Sequence, residues 1–126
     1  MTKDLFDKGL AIRKAVLGKD YVEKSLAGAD GFMMAFQDHV TSYCWGNIWG
    51  REGLARRDRS LINLAMLAAL GKTDELKLHV RGALNNGVSI EEIKEVLLQV
   101  AVYAGIPAGL AAFRAAHQAL KEDGRL

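Results

Sequence analysis

The sequence has few of the residues that mark disulfide-stabilised, irregular or nucleic-acid-binding proteins. Cys44 is its one cysteine, so the chain can form neither an internal disulfide nor a CxxC redox pair. Its one proline leaves the helical patterns largely uninterrupted. The 17 basic and 15 acidic residues nearly balance and are interspersed, unlike the basic surface of a nucleic-acid-binding protein. We therefore expect a globular protein that binds no nucleic acid.

Long apolar segments are also missing from the sequence. No apolar run follows the first residues, so no signal peptide is expected, and no run is long enough to span a membrane. His39, His79 and His117 lack the spacing of metal ligands, so no metal site is expected. Cys44 is expected to be a small buried apolar residue. These features predict a cytoplasmic protein without a membrane segment.

Apolar residues recur at helical spacing along the chain and predict one all-α domain of 126 residues. A C′ glycine at Gly87, a capping box from Ser89 to Glu92 and Pro107 in a first turn mark three helix ends. The hairpins 55–86 and 89–122 are predicted to form the core. Seven helices are expected, at 4–17, 20–26, 32–49, 55–70, 73–86, 89–103 and from 107 to a frayed polar tail at 121–126.

Two of these helices carry unusual apolar patterns. The predicted helix 32–49 directs five apolar residues inward: Phe32, Phe36, Val40, Tyr43 and Ile48. The run 61–70 is apolar on every side except for Asn63, and such a helix must be surrounded. Because one thin bundle cannot cover it alone, we expect a partner subunit to complete its burial.

The segment 43–54 concentrates unusual residues at a helix end. Trp45 and Trp49 share one helical face, and Gly46 between them is expected to leave a gap beside the rings. Arg51 follows in a loop. Rings, a gap and a fixed cation suit a small, flat, anionic ligand. The alternative is that the indoles are core or subunit-interface aromatics.

His79 is the titratable residue best placed for chemistry. It falls at the edge of the buried stripe of its helix, and Glu75 lies four residues earlier on the same side. Such a carboxylate can fix the imidazole tautomer and tune its pKa toward neutral pH. The alternative is a surface ion pair without a catalytic role.

Arg56, Arg57 and Ser60 share a face at the N-terminal end of the helix 55–70, where the helix dipole is positive. Together with Arg51 they are candidates for a carboxylate clamp. At least one arginine is expected to be solvated, or paired with Glu52 or Asp58, instead.

Several motifs in order resemble the carboxymuconolactone decarboxylase family, within the alkylhydroperoxidase D-like superfamily. The resemblance covers residues 36–117. It rests on Tyr-x-Trp-Gly-x-x-Trp-x-Arg-x-Gly-Leu, Arg-Arg-x-Arg-Ser-Leu, Ala-Ala-Leu-Gly-Lys, Leu-x-Leu-His, Asn-Asn-Gly-Val, Glu-Glu-Ile-x-Glu-Val and Val-Tyr-Ala-Gly-Ile-Pro-Ala. The wider superfamily is indicated by 59–113, and the Trp-Gly-x-x-Trp segment points to the decarboxylases themselves.

The resemblance implies an oligomeric helical bundle, a homotrimer or homohexamer, that needs no cofactor. The implied reaction converts 4-carboxymuconolactone, a small dicarboxylate lactone, to 3-oxoadipate enol-lactone in protocatechuate catabolism. One arginine would hold the retained carboxylate, Trp45 and Trp49 would form an apolar wall for the departing one, and His79, oriented by Glu75, would protonate carbon.

Three alternative functions stay open. A peroxidase-like disulfide reductase of the same superfamily is disfavoured, because its Glu-x11-Cys-x2-Cys-x3-His pattern falls here on Ser60, Lys72 and Glu75 before His79. A related lyase for another carboxylated lactone, or a non-catalytic oligomer that binds aromatic acids, would use the same residues.

Overall fold

The computed structural model describes residues 3–126, and the all-α class is confirmed because this range contains helices and no β-strand. Within it, no helix combines the length and apolar character needed to cross a lipid bilayer. The chain divides into two compact units, one up to Ala55 and one from Arg56. The helices are α1 (Lys3–Leu17), α2 (Lys19–Ala27), α3 (Gly31–His39), the π-helical segment π1 (Val40–Ile48), α4 (Arg56–Leu70), α5 (Thr73–Asn85), α6 (Ile90–Tyr103) and α7 (Ile106–Glu122).

The second unit is built from the two predicted hairpins, α4–α5 and α6–α7. Helix α4 packs against α5, α6 and α7, and α7 also packs against α5 and α6. The apolar residues that these helices bury against one another form one continuous core, which includes Leu64, Leu76, Val80, Ile93 and Leu97. The prediction that 55–86 and 89–122 form the core is confirmed, and this core fixes the positions of the polar side chains on α4 and α5.

Local signals set the ends of these helices as predicted. Gly87 has φ 88°, a conformation that L side chains rarely adopt, and it follows the end of α5. Ser89 and Glu92 form a reciprocal capping box, in which each side chain accepts a hydrogen bond from the other residue's backbone N–H. Pro107 lies in the first turn of α7.

The frayed tail predicted at 121–126 is partly wrong. Helix α7 continues through Glu122, whose carboxylate pairs with Lys77 and Arg81 of α5 and accepts a hydrogen bond from Gln118. These contacts hold the last helical turn against α5.

In the first unit, helix α1 packs against π1 at glycines. A Cβ at Gly9 would meet the backbone of Thr41 and Gly46, and one at Gly46 would meet the backbone oxygen of Leu5. The absence of side chains at these positions allows the two backbones to approach closely. Residues Thr41, Ser42, Trp45 and Gly46 therefore form the buried side of π1.

This packing corrects the inward face predicted for 32–49. Phe32, Phe36 and Tyr43 are 86%, 58% and 50% exposed, whereas Val40 and Ile48 are half-buried. For Tyr43, two features explain the difference. The π-helical hydrogen bonds from residue 40 onward change the angular step between side chains, and the close contact at Gly9 and Gly46 turns the side of π1 that carries Thr41, Ser42 and Trp45 toward α1.

Arg13 is a buried cation in the first unit. Its guanidinium donates hydrogen bonds to Gln37 Oε1 at 2.8 Å and Thr41 Oγ1 at 3.2 Å, so it joins α1 to α3 and π1. Burial lowers the pKa of Arg13.

The apolar run 61–70 is not enclosed by the chain itself. Ile62, Met66 and Leu70 of α4 are 44%, 49% and 70% exposed. The complete burial expected for this run therefore does not occur within one chain.

Candidate functional site

His79 lies at the edge of the buried face of α5, as predicted. Its neighbours Leu76 and Val80 are fully buried, while the imidazole is half-buried. Desolvation lowers the pKa of His79 to about 4, and the charge of exposed Glu75 opposes this with a smaller effect. The expectation that Glu75 would tune the imidazole toward neutral pH is therefore wrong, because the desolvation penalty is larger. The imidazole is neutral at pH 7.

Asn63 of α4 is the polar residue beside this imidazole. Its Nδ2 lies 3.5 Å from His79 Nδ1, a long contact at the limit of a hydrogen bond. An amide nitrogen only donates, so a hydrogen bond at this contact requires the tautomer in which Nδ1 accepts and Nε2 carries the proton. Sequence reasoning did not assign Asn63 to the site. The available signal was its position as the one polar residue in the apolar run 61–70.

The predicted arginines differ in their partners. Arg57 forms an ion pair with Glu92 of α6 and lies 3.9 Å from Asp58, so its charge is already compensated. At least one arginine was expected to be solvated, or paired with Glu52 or Asp58, in place of binding a ligand. Arg57 is such an arginine, although its main partner is Glu92. Arg56 at the start of α4 is exposed, and so is Arg51, which lies in the loop of the first unit.

Ser60 does not present its hydroxyl to a ligand. The residue is fully buried, and its Oγ accepts a hydrogen bond from Asn86 Nδ2 at 2.9 Å. The same amide nitrogen lies 3.5 Å from the backbone oxygen of Arg56. The substrate-binding role predicted for Ser60 is therefore corrected to a structural one, which joins the start of α4 to the end of α5.

Arg59 is a second residue that sequence reasoning left without a role. It is half-buried, and its Nε is buried without a hydrogen-bond partner in the described chain. It lies four residues before Asn63, on the same face of α4. The sequence signal was its place in the Arg-Arg-x-Arg-Ser-Leu motif, but helical spacing alone could not separate it from Arg56, which lies three residues earlier on the same face.

In the first unit, Trp45 and Trp49 are both buried and stack with ring centroids 4.7 Å apart and an interplanar angle of 24°. The gap expected at Gly46 is filled, because the backbone of Leu5 occupies the space that a side chain would need. The indole pair is therefore packed in the first unit, and the predicted gap beside the rings is absent.

An apolar groove of about 560 Å³ lies between α4 and α6 in the second unit. Gln99 and Tyr103 are the polar residues of its lining, and no basic side chain faces it. It lies on the side of α4 that carries Ile62 and Ala65, roughly opposite Asn63 by the helical step. The groove therefore lacks a cation for a carboxylate, and Asn63 and His79 lie on the other side of α4.

Comparison with known proteins agrees with these motifs. Residues 35–118 match the model of the carboxymuconolactone decarboxylase family. The chain is 42% identical to a 4-carboxymuconolactone decarboxylase of Acinetobacter baylyi, over 94% of this chain and 89% of that protein. It is 47% identical to the nitrosuccinic acid decarboxylase npaB of Metarhizium robertsii, over 82% of this chain and 72% of that protein.

Proposed function

The chain belongs to the carboxymuconolactone decarboxylase family, and we propose that it removes CO2 from 4-carboxymuconolactone to give 3-oxoadipate enol-lactone. The proposed role is a step of protocatechuate breakdown through the β-ketoadipate pathway. The observation that carries the proposal is the similarity to the bacterial decarboxylase over nearly the whole chain. The neutral, half-buried imidazole of His79 beside Asn63 supplies a polar centre for the reaction.

The substrate explains why this reaction needs no cofactor. The departing carboxylate is attached to a saturated ring carbon next to the ring alkene, which is conjugated to the lactone carbonyl. When the bond to CO2 breaks, its electron pair moves through the alkene and the carbonyl oxygen gains the charge of a dienolate. A proton then adds to carbon. The protein must bind the retained carboxymethyl arm, stabilise the oxyanion and exclude competing reactions.

We assign His79 to the developing oxyanion. With Nδ1 facing Asn63, the neutral ring carries its proton on Nε2 and can donate a hydrogen bond to oxygen. The role expected from the sequence, a protonated acid that delivers its proton to carbon, requires an imidazolium. A histidine with a pKa of about 4 is roughly 0.1% protonated at pH 7.

The pH dependence of kcat/KM separates these two roles. If neutral His79 acts as a hydrogen-bond donor, its titration leaves kcat/KM unchanged from pH 5.5 to 8. If the imidazolium of the free enzyme is required, kcat/KM falls about tenfold per pH unit over this range. A decline of that size, absent in His79→Gln, would restore the acid role. In both cases we expect His79→Ala to stay folded and lose most of its turnover.

The other predicted residues have less direct support. Arg51 and Arg56 are exposed cations in the first and second units, and each is a candidate for the retained carboxylate. Trp45 and Trp49 stay predictions as an apolar wall, and their burial and stacking fit that role. A departing carboxylate is better placed against an apolar wall than against a cation, because its charge disappears in the transition state.

A second candidate substrate is nitrosuccinate, because the chain is 47% identical to a nitrosuccinic acid decarboxylase. The two substrates share their chemistry. Each has a carboxylate on a carbon attached to an electron acceptor, a conjugated lactone or a nitro group, and each keeps a carboxymethyl arm. The same polar centre could therefore serve either acceptor.

A thiol mechanism has no support in the structure. Cys44 is half-buried, and burial raises the pKa of its thiol, which disfavours the reactive thiolate. The sequence holds no second cysteine with which it could form an intramolecular disulfide.

The deciding experiment is a direct comparison of the two substrates with the purified protein. Consumption of 4-carboxymuconolactone is followed spectrophotometrically, and CO2 release is measured for both compounds. We expect a higher kcat/KM for the lactone. A higher kcat/KM for nitrosuccinate would identify the second candidate as the substrate, and CO2 release from neither would refute both assignments.

A further inference from the structure

Arg59 carries a polar group that the folded chain leaves unsatisfied. Its Nε is buried and has no hydrogen-bond partner among residues 3–126, and none of the ion pairs in this range involves Arg59. A buried donor without a partner costs about 1–3 kcal/mol, so such groups in folded proteins call for an explanation. Its neighbour Arg57, in contrast, is paired with Glu92.

The position of Arg59 connects it with the polar centre. Asn63 lies one turn further along the same face of α4, and its amide reaches His79 Nδ1 at 3.5 Å. Four residues of an α-helix rise by about 6 Å. Arg59, Asn63 and His79 thus form a polar series within the second unit, with a cation at one end and a neutral imidazole at the other.

We propose that Arg59, in place of the exposed Arg51 and Arg56, binds the retained carboxylate of the substrate and so directs the reacting carbon toward His79. This inference rests on the proposed decarboxylation of a substrate with a carboxymethyl arm. In such a substrate the carboxyl carbon is two carbon–carbon bonds, roughly 2.5 Å, from the reacting carbon. With a hydrogen bond of about 2.8 Å to the guanidinium added, the reacting carbon lies roughly 5–6 Å from the guanidinium. A carboxylate held by Arg59 would therefore leave the reacting carbon near the face of α4 that carries Asn63, the residue that contacts His79.

The chemistry of the side chain fits this role. A guanidinium presents Nε–H and a terminal N–H side by side, which matches the two oxygens of a carboxylate. Arg59 is half-buried and forms no ion pair among residues 3–126, so the charge of its guanidinium is not compensated by the folded chain. Asn63 is the positioning residue in this arrangement, because its amide orients the imidazole and need not contact the substrate.

The test compares Arg59→Met with Arg59→Lys and a surface control, Arg114→Met on α7. Arg114 is exposed and lies outside the polar series. We expect Arg59→Met to raise KM for the lactone roughly 10- to 100-fold and to lower kcat less, since the retained carboxylate has the same charge throughout the reaction. Arg59→Lys keeps the charge without the paired donors and should fall between wild type and Arg59→Met. Arg114→Met should match wild type.

Succinate provides a probe that does not depend on turnover. It carries a carboxymethyl arm and cannot lose CO2 by this mechanism, and its Kd is measured by calorimetry for all four proteins. Weaker binding to Arg59→Met and Arg59→Lys, with wild-type binding to Arg114→Met, supports the inference even if the lactone is not the substrate. Wild-type values of KM and Kd in a folded Arg59→Met protein overturn it. If circular dichroism shows that Arg59→Met is unfolded, the Arg59→Lys values decide in the same way.

Discussion

When the pH is lowered from 7.5 to 4.5, the His79→Gln variant should lose less free energy of unfolding than wild type does. The desolvated imidazole has a pKa of about 4 in the folded chain, whereas 6.5 is its ordinary value. Between these two pH values the unfolded chain binds a proton that the folded chain does not. The contribution of neutral His79 to the free energy of unfolding is therefore complete above pH 6.5. It is lost as the pH falls toward 4, because protons then stabilise the unfolded chain.

The size of the effect follows from the same values. A tenfold change in proton affinity corresponds to about 1.4 kcal/mol, so a lowering of the pKa from 6.5 to about 4 corresponds to roughly 3–4 kcal/mol at most. The imidazole is only half-buried, and solvent reduces this to about 2 kcal/mol. Glutamine keeps the polar character at this position and does not titrate.

The measurement is the free energy of unfolding from urea titrations at pH 7.5, 6.0, 5.0 and 4.5. Between the first and last pH, wild type should lose about 2 kcal/mol more stability than His79→Gln. His117→Gln on α7 is the matched control, because His117 is exposed, and it should follow wild type. Parallel pH curves for wild type and His79→Gln would show that the imidazole is not desolvated and would remove the basis for its neutral state.

Other substitutions test packing and reactivity. A Cβ at Gly109 would lie 2.9 Å from Ala101 Cα, so Gly109→Ala should destabilise the chain by about 1–3 kcal/mol in urea titrations. The control is Gly31→Ala, where a Cβ would meet open space, and it should change stability by less than about 1 kcal/mol. Equal effects of the two substitutions would refute the close contact between α6 and α7. Cys44→Ser should keep wild-type kcat, and loss of activity in a folded protein would support a thiol mechanism. Because the apolar run 61–70 is partly exposed, we expect self-association to a trimer or hexamer, which a folded monomer in sedimentation experiments would contradict.

The sequence by itself determined the class of fold and most helix boundaries. Gly87, the Ser89–Glu92 capping box and Pro107 act within a turn or two of their own positions, so their effects can be read without the rest of the chain. Helical periodicity placed His79 correctly at the edge of its buried face. The motifs that resemble the family are likewise a property of residue order, and the family match confirmed them.

Only the tertiary structure decided which polar groups are available to a ligand. Arg57 is compensated by Glu92 of α6, Ser60 is buried against Asn86, and Arg59 keeps an unsatisfied donor. Helical spacing places these residues on one end of α4, but it cannot show what another helix brings opposite each of them. Such partners come from distant parts of the sequence.

The exposure of side chains in the first unit and the pKa of His79 were also decided by the packing of the helices. Tyr43 is exposed because Gly9 of α1 meets Gly46 of π1 and turns the side of that segment that carries Thr41, Ser42 and Trp45 inward. The pKa of His79 falls because desolvation outweighs the nearby charge of Glu75. A sequence pattern locates charges and apolar faces, whereas close backbone contact and the removal of water are set by how the helices pack together.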